Sequence, residues 1–194
     1  MRTLVWVTAI AGVLLSTAAH AQKFDITPVA EKKVSRLPLG PLFWRIDTFP
    51  TLTKAQAVTS STALAAEVAG RAWLFTLGPP GGSSPGGSKV AEIGPVPSFT
   101  APEYLLRINR AGGPPGAKTP VHTHPGVESF YVLSGELTQR IPDGVNRISV
   151  GQSMPGHSPN TPMQVSSSGI IELSVLVMFV TDATKPFSSP ATMP

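Results

Sequence analysis

Residues 116–135 read GAKTPVHTHPGVESFYVLSG. His122 and His124 stand two residues apart, Pro125-Gly126 follows as a turn, and Glu128 lies at the start of the apolar run 127–133. On an extended chain, side chains at i and i+2 project to the same side, so the two imidazoles aim together. If the run after the turn is a strand pairing antiparallel with the first, Glu128 converges on them. Two imidazoles and one carboxylate meeting at one point form a two-His-one-carboxylate set. Such a set leaves coordination positions open and suits one divalent transition metal: Fe, Mn, Ni, Cu or Zn. By the same alternation Phe130 and Val132 share the face of Glu128 and are candidate pocket-lining residues, while Ser129, Tyr131 and Leu133 face away. Arg107, on the strand-like run 103–110, is a third candidate for the pocket wall, where its planar fork would suit a substrate carboxylate.

The surroundings of this stretch read as β-structure. Short apolar runs at 42–46, 71–77, 90–93, 103–110, 127–133, 137–141, 147–150 and 170–181 are separated by turn residues, as in an antiparallel sandwich or barrel. The 21 prolines and 18 glycines agree with many turns and few long helices. One helix is expected, over 53–68, from its alanine-rich composition, a threonine N-cap and Gly70 as its stop. The polar stretch 22–38 reads as an extended arm. The Gly/Pro/Ser stretch 78–88 reads as a surface loop, since it lacks the Gly-Lys-Ser/Thr ending of a phosphate-binding loop. The Pro/Ser-rich tail after Lys185 either hangs free or lies against the barrel.

Composition removes whole classes of function. With no cysteine, disulfide scaffolds, thiolate zinc sites and thiol nucleophiles are excluded. Charged residues are only 13% of the chain, which excludes a coiled coil, and 41% hydrophobic residues are enough for a core. The net charge of +4 is mild and dispersed, with no basic stripe interleaved with aromatics, so nucleic acid is not an expected partner. Met1-Arg2, an apolar run to Leu15 and Ala19-His20-Ala21 together read as a secretory signal peptide cleaved after Ala21, too short to span a bilayer. Export to the periplasm or the medium follows as an expectation, with no membrane span in the mature chain. Cleavage removes His20 and leaves His122, His124 and His157, all close to the motif. A Ser-His-Asp triad is therefore not expected, and only one acidic residue is placed by a motif, against a glycosidase pair.

The skeleton Gly116, five residues, His122-x-His124, three residues, Glu128, six residues, Gly135 resembles the first conserved motif of the cupin superfamily at every position. The resemblance covers about 103–182. It implies a cupin-type antiparallel β-barrel, jelly-roll-like and mainly β, with the metal held inside by His122, His124 and Glu128. The expected organisation is a signal peptide at 1–21, an N-terminal extension with one short helix at 22–99, the barrel at 100–184 and a tail at 185–194. The second family motif departs: Gly151 is in place, but Met163 stands where the family's fourth ligand, a histidine, is usual, and His157 falls six residues earlier. Three readings stay open. His157 completes the metal site as a displaced ligand; the site has three protein ligands with Met163 lining it; or the Met163 thioether itself ligates, which would favour a soft metal. Family members include dioxygenases, isomerases and non-catalytic binding proteins. The resemblance thus implies a small-molecule substrate at a metal centre with oxygenase- or isomerase-type chemistry, or else a binding or sensing module using the cavity. Many members dimerise, and by that analogy the N-terminal arm and helix are candidate elements of a homodimer interface.

Overall fold

A computed structural model describes residues 22–194; the signal-peptide reading of 1–21 lies outside the described residues. The elements run β1 (Asp25–Val34), β2 (Phe43–Phe49), α1 (Leu52–Gln56), β3 (Ala63–Val68), β4 (Arg71–Gly78), β5 (Ser88–Ile93), β6 (Tyr104–Gly113) and β7 (His122–Thr123). They continue with β8 (Gly126–Ser134), β9 (Glu136–Ile141), β10 (Gly144–Ser149), β11 (Ser153–Met154), β12 (Gln164–Ser167), β13 (Leu173–Asp182) and β14 (Ser189–Pro190). The fold is mainly β and antiparallel, in jelly-roll-like sheets. A five-stranded sheet ordered β1-β6-β13-β8-β11 lies between a three-stranded sheet, β10-β9-β12, and a four-stranded sheet, β3-β4-β2-β5; β14 and β7 form a small ribbon.

Alternation along the central strands builds this layering. From β6, β13 and β8, the side chains Leu106, Ile108, Met178, Val180 and Val127 project to one face and join Trp44, Ile46, Trp73 and Phe75 of the four-stranded sheet. Val175, Val177, Phe179, Phe130 and Val132 project to the other and join Leu137, Ile148 and Val165 of the three-stranded sheet. Each face is thus a separate core, and the site lies in the second.

One local reading is corrected and another is made specific. The expected helix over 53–68 is only the five-residue α1, capped by the Thr51 hydroxyl accepting from the Lys54 N–H at 3.2 Å. Its second half is β3, paired with β4 through a two-residue turn in which Ala69 has φ 51° and Gly70 φ 69°. Positive φ at both central positions is the hairpin geometry that matches strand twist, so Gly70 turns a hairpin rather than stopping a helix. Alanine's helix propensity loses to tertiary burial here: Leu64, Ala66 and Val68 enter the main core while Ala63 and Ala65 pack with Ala55 of α1. The arm, in turn, is a paired strand. β1 runs antiparallel to β6 with a bulge between Pro28 and Ala30 and sets Glu31 opposite Arg107. No helix among the described residues is long and apolar enough to cross a membrane.

Candidate metal centre

The hairpin that carries the motif is positioned from several directions. β7 hydrogen-bonds to β14 of the tail, setting His122 opposite Pro190. On its other side His122 and Met163 exchange backbone hydrogen bonds, both at 2.9 Å. β8 is held between β13 and β11, with Glu128 opposite Phe179. Behind it passes the Pro155-Gly156 turn, fixed by the Ser129 hydroxyl donating to the Pro155 carbonyl at 2.8 Å. Gly156 has φ 91°, and any side chain there would run into the Glu128 carbonyl. The glycine is what allows the chain this close to the strand bearing the carboxylate.

His122, His124 and Glu128 each offer a donor atom within 4.8 Å of the others. The two rings lie edge to face, their centroids 5.0 Å apart. Both imidazoles are anchored through Nδ1, to the Pro120 carbonyl at 2.9 Å for His122 and to the Phe187 carbonyl at 2.6 Å for His124. A carbonyl only accepts, so Nδ1 carries a proton in each ring and Nε2 is the nitrogen left to face a metal. That is the orientation a metal-ligating histidine needs, imposed by its outer partner. Burial drives the electrostatics. It lowers the His124 pKa to about 4, against a smaller opposing effect of the Phe187 carbonyl. It pushes Glu128 up to about 8, and the Glu128 Oε2 is buried with no hydrogen-bond partner. Two imidazoles oriented through Nδ1 and a desolvated carboxyl with an orphaned oxygen fit a divalent cation, whose charge would satisfy that oxygen and favour the ionised carboxylate.

The three residues stand at a cavity of about 440 Å³ whose wall is mostly apolar, including Phe24, Phe130, Val175, Val177, Phe179 and Phe187. Phe130 lines it. Val132 does not: it is buried in the same cluster beside Leu137 and Ile148. Arg107 does not line it either. Its guanidinium pairs with Glu31 at 2.6 Å and lies 4.2 Å over the Phe187 ring, because β1, unread as a strand from the sequence, brings Glu31 directly opposite. His157 is apart from the triplet; its Nε2 donates to the Gln139 Oε1 at 2.8 Å. The Gln139 amide in turn donates to the Met163 sulfur at 3.4 Å. Both second-motif residues are thus tied to one fully buried glutamine.

Sequence reasoning missed Phe187. The aromatic stack that His124 makes with Phe179 and Phe187, with centroids 4.8–4.9 Å apart, depends on a residue 63 positions along the chain. Only a phenylalanine in an otherwise Pro/Ser-rich tail hinted at docking.

Comparison with known proteins agrees with the geometry. Residues 112–155 match the family model of the cupin domain. The candidate metal centre lies inside the matched stretch. No curated protein matches the chain. Among solved structures it is similar to the DMSP lyase DddQ of Ruegeria pomeroyi, at 21% identity and TM-score 0.39 over 44% of this chain and 43% of that one. It is similar too to a cupin-like protein of Thermotoga maritima, at 18% and 0.39 over 45% and 65%. A third likeness is the polyketide cyclase RemF of Streptomyces resistomycificus, at 18% and 0.39 over 46% and 62%. The match spans less than half the length of the DMSP lyases.

Proposed function

We propose that this chain is an exported cupin that binds one divalent transition metal through His122, His124 and Glu128 and acts on a small organic molecule in the apolar cavity. The observation that carries the reading is the unpartnered Oε2 of a buried Glu128, within reach of two imidazoles oriented by hydrogen bonds through Nδ1. A bound cation would supply Lewis acidity and, for a redox-active element, electron exchange with O₂, the chemistry behind oxygenase- and isomerase-type reactions. The chain's own residues do the rest. The carbonyls of Pro120 and Phe187 hold the rings, the aromatic wall excludes water, and the cavity is of a size that suits one small molecule. Lys118, exposed at the cavity, is the titratable lining group outside the triplet. Export rests on the character of residues 1–21 in the sequence, and a mass spectrum of protein from the periplasm or medium beginning at Gln22 would bear it out.

The test of the centre is metal content per chain by elemental mass spectrometry on natively expressed, untagged protein. About one equivalent of a single element, lost in Glu128→Ala, is the expected result. No metal in either sample after reconstitution would overturn the reading. A second reading, a non-catalytic binding or sensing module, is favoured by the mostly apolar wall and by Met163 in place of the second-motif histidine. Metal-dependent oxygen uptake over a panel of phenols, thiols and keto acids separates the two. A metal-loaded protein that consumes nothing yet gains thermal stability with a ligand is a binding module.

A further inference from the structure

Asn109 has no evident use in the fold or in the metal set. It sits in the middle of β6, 2% exposed, and it lines the cavity together with Ala111, Val175 and Val177. Its Oδ1 is buried and has no hydrogen-bond partner. Asparagine is disfavoured within strands, and an amide oxygen stranded among apolar groups destabilises the fold. An apolar side chain would fill this place at no such cost. The other polar groups of the wall are differently placed: the Thr119 hydroxyl accepts from the Val165 N–H, and Lys118 and Ser188 are exposed.

Register locates the amide relative to the metal set. Asn109 is opposite Val177 on β13, which is opposite Phe130 on β8. The adjacent row on the same face is Arg107, Phe179 and Glu128. Same-face rows are spaced by about 7 Å and β6 and β8 by about 10 Å across the sheet. Asn109 and Glu128 therefore approach one cavity from strands on either side of β13, with the apolar width of Phe130, Val177 and Phe179 between them.

We propose that Asn109 is a ligand-recognition residue: its Oδ1 accepts a hydrogen bond from an O–H or N–H of a small, single-ring molecule whose opposite polar end faces His122, His124 and Glu128. The ligand class is a ring with polar groups at both ends, of the para-substituted phenol kind. This deepens the function proposed above and rests on its assignment of the cavity as the ligand site.

The experiment compares two probes that differ only at the far end: hydroquinone, and 4-methylphenol, in which a methyl replaces the second hydroxyl. Both are titrated calorimetrically into Zn²⁺-loaded and into metal-free protein, for the native chain and for Asn109→Leu. Hydroquinone is expected to bind the native chain about tenfold more tightly than 4-methylphenol, as one hydrogen bond to a desolvated amide would give. In Asn109→Leu that preference disappears, while 4-methylphenol still binds and Zn²⁺ stoichiometry is unchanged, which also shows that the variant is folded. Independently of any variant, the Asn109 side-chain amide resonance of the native protein is expected to shift with hydroquinone and not with 4-methylphenol. A preference that survives in Asn109→Leu overturns the proposal, as does a native chain that binds neither probe or both equally. Failure to take up Zn²⁺ would instead overturn the metal reading, and the titrations of metal-free protein would still decide the role of Asn109.

Discussion

The two faces of the five-stranded sheet are made from the same three strands by the same alternation, and they differ in one respect. On the face toward the four-stranded sheet, β6, β8 and β13 contribute Leu106, Ile108, Val127, Met178 and Val180, and Trp44, Trp73 and Phe75 fill the space opposite. On the face toward the three-stranded sheet, Asn109 and Glu128 interrupt a similar series, each with a buried oxygen that has no partner, and a cavity remains. Hydrophobic content does not separate a filled core from a site. What separates them is whether such polar groups border open space: the unpartnered Trp44 Nε1 is enclosed in the filled core, whereas Asn109 and Glu128 line a cavity. The filled face supports the fold, and the interrupted face spends some of that stability on recognition.

The largest effect expected from breaking this contrast lies on the filled face. Phe75→Ala removes a fully buried ring from the main core and should destabilise the protein by about 3–5 kcal/mol, read from the midpoint of denaturant unfolding. Metal stoichiometry of the folded fraction should not change. A loss of metal accompanying intact stability would show that the two faces are not separable.

A smaller effect is expected where the tail meets the site. Ending the chain at Pro186 removes the Phe187 carbonyl that fixes the His124 tautomer and the ring that stacks on it. Metal affinity should fall by about 10–100-fold, the usual consequence of losing the outer partner of a ligating histidine, as measured by competition with a chromophoric chelator. Unchanged affinity would mean that His124 is held well enough by Phe179 alone.

These two cases also show how much of the molecule the sequence discloses. The metal triplet is legible because its geometry is local: strand alternation sets His122 beside His124, and a short turn returns Glu128 to them. The face assignments of Phe130 and Val132 are local for the same reason, although only Phe130 reaches the cavity. Arg107 and the 53–68 stretch differ from their local reading because their outcome is decided by remote partners. Glu31 captures the guanidinium only once β1 pairs with β6, and the alanines of β3 become strand only because β4 and the core offer them burial. Phe187 and Asn109 carry no local signal, the first because it acts from 63 residues away and the second because a strand asparagine declares itself only when its oxygen is seen to be unpartnered.

pH sharpens the contrast, because burial on the interrupted face moves Glu128 and His124 out of their ordinary ranges. In metal-free protein Glu128 titrates near 8 when folded, from an ordinary 4.5, so the folded state keeps a proton that the unfolded chain gives up. Its contribution to stability is therefore lost as pH rises from about 4.5 to 8. His124, lowered from 6.5 to about 4, acts oppositely: stability is gained as pH rises from about 4 to 6.5. The two oppose each other below pH 6.5, with the burial-lowered His157 reinforcing His124. Above pH 6.5 Glu128 acts alone, so chelated protein should lose about 2 kcal/mol between pH 6.5 and 8. Unfolding titrations with Glu128→Gln should show no such loss. A decline that persists in the variant would place the titrating group elsewhere.

The smallest effect is expected at the second motif, and it bears on the three readings of the metal's coordination. His157 is partly buried and donates to Gln139, which in turn donates to the Met163 sulfur beside His122. As placed, the His157 ring supports a buried amide rather than the triplet. His157→Ala should therefore cost about 1 kcal/mol of stability, the low end for a buried acceptor left without its donor, since removing the partly buried ring lets water reach the Gln139 oxygen, and should leave metal affinity unchanged. A fall in affinity of tenfold or more, with the unfolding midpoint little altered, would instead make His157 a ligand that swings in when the cation binds. Met163→His then distinguishes the remaining two readings. A histidine there stands opposite His122 across the bridge and should tighten binding of Zn²⁺ if the site has three protein ligands. If the thioether is itself a donor, the same change should weaken binding of Cu(I) while strengthening that of Zn²⁺.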